Sequence, residues 1–361
     1  MRVLFDLLHP AHFHLFKNAI AELQSQGHRV DILARAKDCL PQLLESTGWE
    51  YTLIPRRGTA GLPTLAMETL RAAWLAMQKG FRKKIDIMAG TSISIGPAAR
   101  VCGAKACIFE EDDAAVIPLM ARLGYPWAHY IITPQWLTSE NHGRKHLTYP
   151  GFHELAYLHP NRFRPEPSIA SDLGLREGER YFVVRLVALK AHHDIGQKGL
   201  STPQACQIVE KLAAHGRVFI SAESTVEPSL KPYLLPTAPE RMLDVLAFAD
   251  MLIGDSQTMS VEAAMLGTPS IRCNTFVGRL SVLKVLDEHW RLTAGFLPTE
   301  FDRLMNCLDE WLHTPNLKSQ WKIRREQMLR ECIDLTEWML TLFADLAAGK
   351  DRRQLKQEAK S

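Results

Sequence analysis

Three histidines fall within six positions near the N-terminus, His9, His12 and His14 in HPAHFH, between an apolar run and an amphipathic one. Imidazole changes charge near neutrality, so such groups can take a proton, hold an anion or bind a metal. HxxHxH matches no established metal-ligand spacing, and the chain has no HExxH or CxxC pair. His14 also lies about 200° around a helix from His12, off its face, so no metal is expected. His12 would sit at the positive end of a helix dipole, which lowers its pKa and suits a general base. His9, in the turn before, could touch a ligand, and His14 is expected to be packed or exposed.

Three further segments carry chemistry. In IGDSQTMSVEAAMLGTPSIRCNT, residues 253–275, the turn Gly254-Asp255-Ser256-Gln257-Thr258 joins a strand-like run to a helix-like one. Unpaired backbone N–H groups and the dipole of a helix start make a phosphate site in outline. Ser256 and Thr258 could add donors, and Glu262, about two turns in, could accept from a ribose diol. The plainer alternative is a helix capped by Asp255 or Ser256 with Glu262 in solvent. In VVRLVALKAHHDIGQKGLS, residues 183–201, the cations Arg185, Lys190, His192, His193 and Lys198 suit an anionic ligand. The alternative pairs Arg185 with a carboxylate inside the fold and leaves the histidines on the surface. In CIFEEDDAAVIP, residues 107–118, four carboxylates follow a strand-like run. Crowded like charges raise one another's pKa, which makes a general acid or base, unless water solvates them all.

The elements that would position these groups alternate strand and helix periods. RVLFDLL precedes a helix from about Phe13 to Gln26, then come RVDILA, a helix around 41–46, YTLI, a long helix over 62–84, IDIMAG, KACIF, WAHYIITP and HLTYPG. A Pro-rich stretch, 159–180, reads as a linker. YFVVRLV, a helix with Thr202 as N-cap and Pro203 at N1, RVFISAE, DMLIGD and PSIRC form a second alternating unit, and α-helix fills most of the rest to about 348. The expected fold is α/β, with two Rossmann-like parallel-sheet domains facing a central cleft. Their expected extents are 1–165 and 175–335, and 336–361 forms a C-terminal helix and a frayed tail.

The 361 residues carry 43 basic and 40 acidic side chains, a balance that gives no sign of nucleic-acid binding. Asp6 and His9 interrupt the first apolar run, so it reads as a strand and not a signal peptide. Seven scattered cysteines suit a reducing cytoplasm, and no apolar stretch is long enough to span a membrane. In the helix at 62–84, Leu70, Trp74, Met77 and Phe81 share a face that ends in Arg82-Lys83-Lys84. That face is expected to pack in the core with a solvated basic end. Its alternative is peripheral contact with the anionic inner face of a membrane.

DSQTMSVEAAMLGTP with IRCNTF resembles the nucleotide-binding segment of GT-B proteins, above all the non-hydrolysing UDP-N-acetylglucosamine 2-epimerases. The resemblance implies that Ser256 holds a diphosphate and Glu262 a ribose, with Gln257 and Thr258 in place of the family's glycine pair. AHHDIG resembles the epimerase histidine-containing loop, and Glu111 or Glu110 stands nearest the glutamate of its acid strand. HPAH replaces the glycine-rich first loop of GT-B glycosyltransferases, with His12 at the position of their histidine and His9 toward the donor.

Over its length the chain is similar to a GT-B-like family of archaeal and bacterial proteins of unknown function, through DLLHPAHFHLFKNAI, YPGFHELAYLHP, VVRLVALKAHHDIG and DSQTMSVEAAMLGTP. The resemblance implies a nucleotide-sugar-dependent glycosyltransferase of surface polysaccharide or glycoconjugate synthesis. Such an enzyme needs no cofactor, takes a UDP-sugar first among donors, and acts on a sugar or lipid-linked acceptor. An epimerase acting on the nucleotide sugar and a non-catalytic sugar-nucleotide-binding protein remain open beside it.

Overall fold

The strand and helix periods resolve into two separate parallel sheets in the computed structural model, which describes residues 1–37, 39–54, 62–187 and 199–350. The chain divides into a first unit, Met1–Arg162 together with the chain from Ile333 onward, and a second, Phe163–Cys332.

In the first unit the strands are β1 (Arg2–Leu7), β2 (Arg29–Arg35), β3 (Thr52–Ile54), β4 (Ile87–Gly90), β5 (Lys105–Phe109), β6 (Tyr130–Pro134) and β7 (His146–Tyr149), in the order β3-β2-β1-β4-β5-β6-β7. Every pairing is parallel, with Val3 opposite both Val30 and Ile87. The connecting helices are α1 (Pro10–Ser25), α2 (Leu40–Glu45), α3 (Leu62–Lys83), α4 (Ile95–Cys102), α5 (Pro118–Leu123) and α6 (Leu155–Leu158). Helix α1 starts three residues before the apolar periodicity does. His9 caps it, accepting from Ala11 N–H at 3.2 Å, and Pro10 supplies a first residue that needs no partner for its nitrogen.

Alternate residues of the strands serve opposite faces. On one face, Leu4, Leu33, Met88, Ala106, Ile108 and Ile131 pack under Ala76, Ala98, Ala99 and Met120 of α3, α4 and α5. The expected burial of the α3 face is corrected here. Leu70, Trp74 and Phe81 are exposed and only Met77 packs against the core, because α3 turns its small residues Ala72 and Ala76 inward. Gly80 extends that inward edge. A Cβ there would lie 2.4 Å from Cys102 Sγ, so the close approach of α3 to α4 needs glycine.

The second unit has α7 (Ile169–Asp172), β8 (Tyr181–Leu186), α8 (Thr202–Ala213), β9 (Arg217–Ala222), α9 (Met242–Phe248), β10 (Met251–Gly254), α10 (Gln257–Leu266), β11 (Ser270–Cys273), α11 (Ser281–Glu288), β12 (Thr293–Phe296), α12 (Phe301–His313) and α13 (Leu317–Arg330). Its sheet runs β12-β11-β10-β8-β9, again parallel throughout. The cap of α8 is Ser201 and not Thr202, because Gln204 returns a side-chain bond to Ser201 N–H at 2.9 Å and closes a capping box one residue earlier.

Past the second unit, α14 (Leu335–Ala347) returns to the first. Phe343 closes an aromatic cluster with Phe5, Phe16 and Phe109 on the other face of the first sheet, with ring centroids 5.2 to 6.3 Å apart. Arg162 fastens the return. Its guanidinium donates to Asp334 at 2.6 Å, to Glu337 at 3.2 Å and to Glu22 of α1. The largely buried guanidinium satisfies carboxylates from both ends of the unit, and charge-assisted bonds of this kind contribute about 2 kcal/mol. Arg162→Ala should therefore loosen α14, seen as faster hydrogen exchange in 335–347 and a lower urea midpoint. Unchanged exchange there would show that the aromatic cluster alone holds the helix.

Candidate functional site

At the carboxyl end of the first sheet, β1 and β4 meet through polar side chains. Asp6, fully buried, accepts from Ser92 Oγ at 2.6 Å and Ser94 Oγ at 2.5 Å, which ties the loop after β4 to β1. Beside it, His12 Nδ1 accepts from Leu8 N–H at 3.2 Å, and Thr91 Oγ1 lies against the ring, 2.8 Å from Nδ1 and 2.6 Å from Nε2. An Nδ1 that accepts from the backbone favours the neutral tautomer with hydrogen on Nε2. Burial first, then the charges of His9, His153, Lys37 and Arg35, hold His12 well below the usual imidazole pKa. His12 is therefore neutral, as expected, but its lone pair is turned onto the backbone of its own turn. His14 is packed against Tyr157, with centroids 5.2 Å apart, and burial pushes its pKa down to about 3.

The acid segment after β5 is not a solvated cluster. Glu110 Oε1 accepts from the N–H groups of Glu111 and Asp112, at 3.2 and 3.4 Å, in a tight local turn. Burial, then the charge of Asp112, raises Glu110 well above the usual carboxyl range. Burial, then Glu154 and Asp112, does the same for Glu111. Glu111 Oε2 lies 3.5 Å from His153 Nδ1, and burial pushes His153 down to about 3. The β5 and β7 ends thus set carboxyls that favour their proton against an imidazole that disfavours one, and His153 Nε2 has no hydrogen-bond partner among the described residues. His153 and Glu154 were missed as chemistry in the sequence. Their one signal was an ionisable pair placed directly after a Pro-Gly turn that closes a strand.

In the second unit the turn after β10 is built as a helix start. Ser256 is the N-cap of α10, accepting from Met259 N–H at 3.2 Å while its own O–H stays available to a ligand. Gln257 opens the helix, Thr258 is exposed and Glu262 is buried, 8% exposed. Asp255 is a clamp. It accepts from Val187 N–H at 2.8 Å and from the backbone of Leu200, and so holds the described residues on both sides of 188–198. Gly199 passes so close that a Cβ would fall 2.7 Å from Asp255 Cβ. Burial raises the Asp255 carboxyl to about 6. Arg185 takes the alternative foreseen for it, donating to Ser221 Oγ at 2.7 Å and pairing with Glu223. Lys190, His192, His193 and Lys198 lie outside the described residues. Among the described residues no three His, Cys, Asp or Glu side chains group with metal-ligand geometry.

The raised carboxyls have a measurable sign. A group whose folded pKa exceeds its unfolded value of about 4.3 binds its proton more tightly in the folded chain. The stability it contributes is complete below that value and is lost as pH rises through the folded pKa. Glu111→Gln should therefore raise the melting temperature at pH 8 by about 2 °C and leave it nearly unchanged at pH 4. Equal shifts at both pH values would mean that the pKa of Glu111 does not change on folding.

Comparison with solved structures identifies the fold as GT-B. A UDP-N-acetylglucosamine 2-epimerase from Neisseria meningitidis bound to UDP-GlcNAc is 12% identical, with a TM-score of 0.61 over 91% of this chain and 100% of that one. MnaA of S. aureus, solved with UDP, is 9% identical with a TM-score of 0.66 over 97% and 98%. MurG of Acinetobacter baumannii is 15% identical with a TM-score of 0.60 over 94% and 98%. No curated protein matches the sequence. Residues 1–334 match the family described as protein of unknown function DUF354, and the chain belongs to it.

Proposed function

We propose that this chain acts on a nucleotide-activated sugar and does acid–base chemistry on the sugar itself, as an epimerase does. The observation that carries the reading is Glu111 Oε2 set 3.5 Å from His153 Nδ1 beside Glu110, with burial raising both carboxyls above the usual range and lowering the imidazole. Inverting a sugar carbon means taking its proton on one face and returning a proton on the other. That needs an acid and a base together, each with a shifted pKa. This reverses the order of the sequence expectation, in which the transferase came first. A transferase with His12 as base needs its lone pair, and in the structure Nδ1 already accepts from Leu8 N–H.

The second unit supplies the nucleotide site in this reading. Ser256 O–H and the first N–H groups of α10, with Gln257 and Thr258 at its opening, hold the diphosphate, and Glu262 takes the ribose. Lys190 and His192 are assigned to the charge of the departing nucleotide, and Arg185 joins them only by leaving Glu223. The Neisseria meningitidis epimerase and MnaA were solved with UDP-GlcNAc and with UDP, which makes a UDP-sugar the first substrate to try.

The transferase remains as a second reading because one observation favours it. His12, neutral at the first helix of the first unit with Thr91 against Nε2, becomes a base once an acceptor hydroxyl displaces Leu8 N–H from Nδ1. His9, in the same turn, would then meet the donor.

A thermal-shift panel of UDP, GDP, CMP, dTDP and their sugar conjugates, with and without EDTA, identifies the nucleotide. A ligand at a hundred times its Kd should add about 2.7 kcal/mol, and Ser256→Ala should weaken that ligand about tenfold or more. The conjugate that binds is then incubated in D2O without acceptor. Deuterium on a ring carbon, lost by about a hundredfold or more in Glu111→Gln, supports the epimerase. Nucleotide release only when an acceptor is present, lost in His12→Ala, supports the transferase. Binding with neither leaves a non-catalytic sensor and overturns both enzyme readings.

A further inference from the structure

Large apolar side chains exposed to water are unevenly spread over this protein. Of the eleven among the described residues, eight lie in α3, α4, α5 and the short turn that follows α5: Met67, Leu70, Trp74, Phe81, Val101, Leu119, Leu123 and Trp127. These segments form one layer, since their inner sides share a single core cluster on the same sheet face. On α3 the exposed positions recur at helical spacing. Leu70 is 71% exposed, Trp74 54% and Phe81 59%, along a helix that spans about 33 Å. Exposed apolar side chains gathered on one layer mark a surface that meets something other than water.

The charges in that layer are of one sign. Arg71, Arg82 and Lys84 on and after α3 and Arg122 on α5 are exposed; Lys83, also exposed, pairs with Asp31 at 2.7 Å, and Arg100 on α4 donates to Trp127 O at 3.0 Å. Glu68, the one carboxylate on α3, is partly buried and turned to Arg35 at 3.9 Å. We propose that the outer surface of α3, α4 and α5 seats the protein on an anionic lipid bilayer, with Leu70, Trp74, Phe81 and Trp127 entering the headgroup boundary and the cations meeting lipid phosphate. Tryptophan is the side chain that best suits that boundary, and cations set around an apolar stripe are the pattern of an interfacial helix. Among the described residues no helix is long and apolar enough to cross a membrane, so the contact is peripheral. A second copy of the same surface is the weaker occupant, because a self-complementary pairing would bring this cationic rim against its own like. The proposal is independent of which reaction the chain catalyses.

The test is flotation of the full chain with phosphatidylcholine vesicles, with and without about a third phosphatidylglycerol, combined with sedimentation of the free protein. Expected is binding to the anionic vesicles, weakened about tenfold by 0.5 M salt, by Arg71→Gln/Arg82→Gln, or by omission of the anionic lipid. Trp74→Glu/Phe81→Glu should abolish it and leave the melting temperature unchanged, since both side chains are more than half exposed. The proposal is overturned if neither vesicle is bound, or if the glutamate variant binds as well as the parent. It is overturned equally if the parent is a dimer that this variant splits and lipid has no effect.

Discussion

An all-parallel sheet imposes one constraint on the rest of the molecule: each crossover must carry the chain back to the edge from which it started. The ends at which strands give way to helices therefore collect along one edge, and helix starts with unpaired N–H groups collect there too. In this protein both sheets obey the rule, and the titratable side chains that distinguish them sit at or just past those ends. His12, Ser92, Glu111 and His153 come after β1, β4, β5 and β7, while Asp255 and Ser256 come after β10. Core packing fixes the strands, and the edge is left free to vary in chemistry.

What the edge does with ionisable groups is to bury them while the backbone supplies partners. Asp6 accepts from two serines at one carboxylate oxygen, Glu110 from two successive N–H groups, and Asp255 from the backbone of Val187 and Leu200. Around Glu110, Glu111 and Asp255, burial outweighs the backbone donors and, at Asp255, the charge of Arg185, while neighbouring carboxylates add to it at Glu110 and Glu111. The proton then becomes the more favourable countercharge, which is why Glu110, Glu111 and Asp255 all move upward. Such groups oppose stability when ionised, a strain that belongs with function rather than folding.

Much of this organisation was legible from residue order. The period of the apolar residues placed the strands of both sheets because parallel strands bury both faces and so read as continuous apolar runs. Ser256 and the helix after it were legible because a cap and a glycine stop bracket them. What could not be read was convergence. Nothing in the spacing of Glu111 and His153, forty-two positions apart, says that β5 and β7 end side by side with β6 between them. Nor does a list of residue types show that His12 would direct Nδ1 to Leu8 N–H with its ring against Thr91, which follows β4 seventy-nine positions along the chain. The α3 face failed for a different reason. Helical periodicity identifies an apolar stripe, but Ala72 and Ala76 formed the buried one and the larger residues stayed outside.

The return of α14 has a consequence for how the molecule is made. The second unit is one uninterrupted stretch, 163–332, whereas the first takes its last helix from beyond it. On the ribosome, the seven strands of the first sheet are all in hand while the aromatic face formed by Phe5, Phe16 and Phe109 still lacks Phe343. That face stays uncovered for the time needed to add roughly 180 further residues, on the order of ten to forty seconds at ordinary synthesis rates. The nascent chain therefore passes through a defined interval as a client for chaperones, and Arg162, waiting at the junction with Glu22, marks the place where the late helix is received.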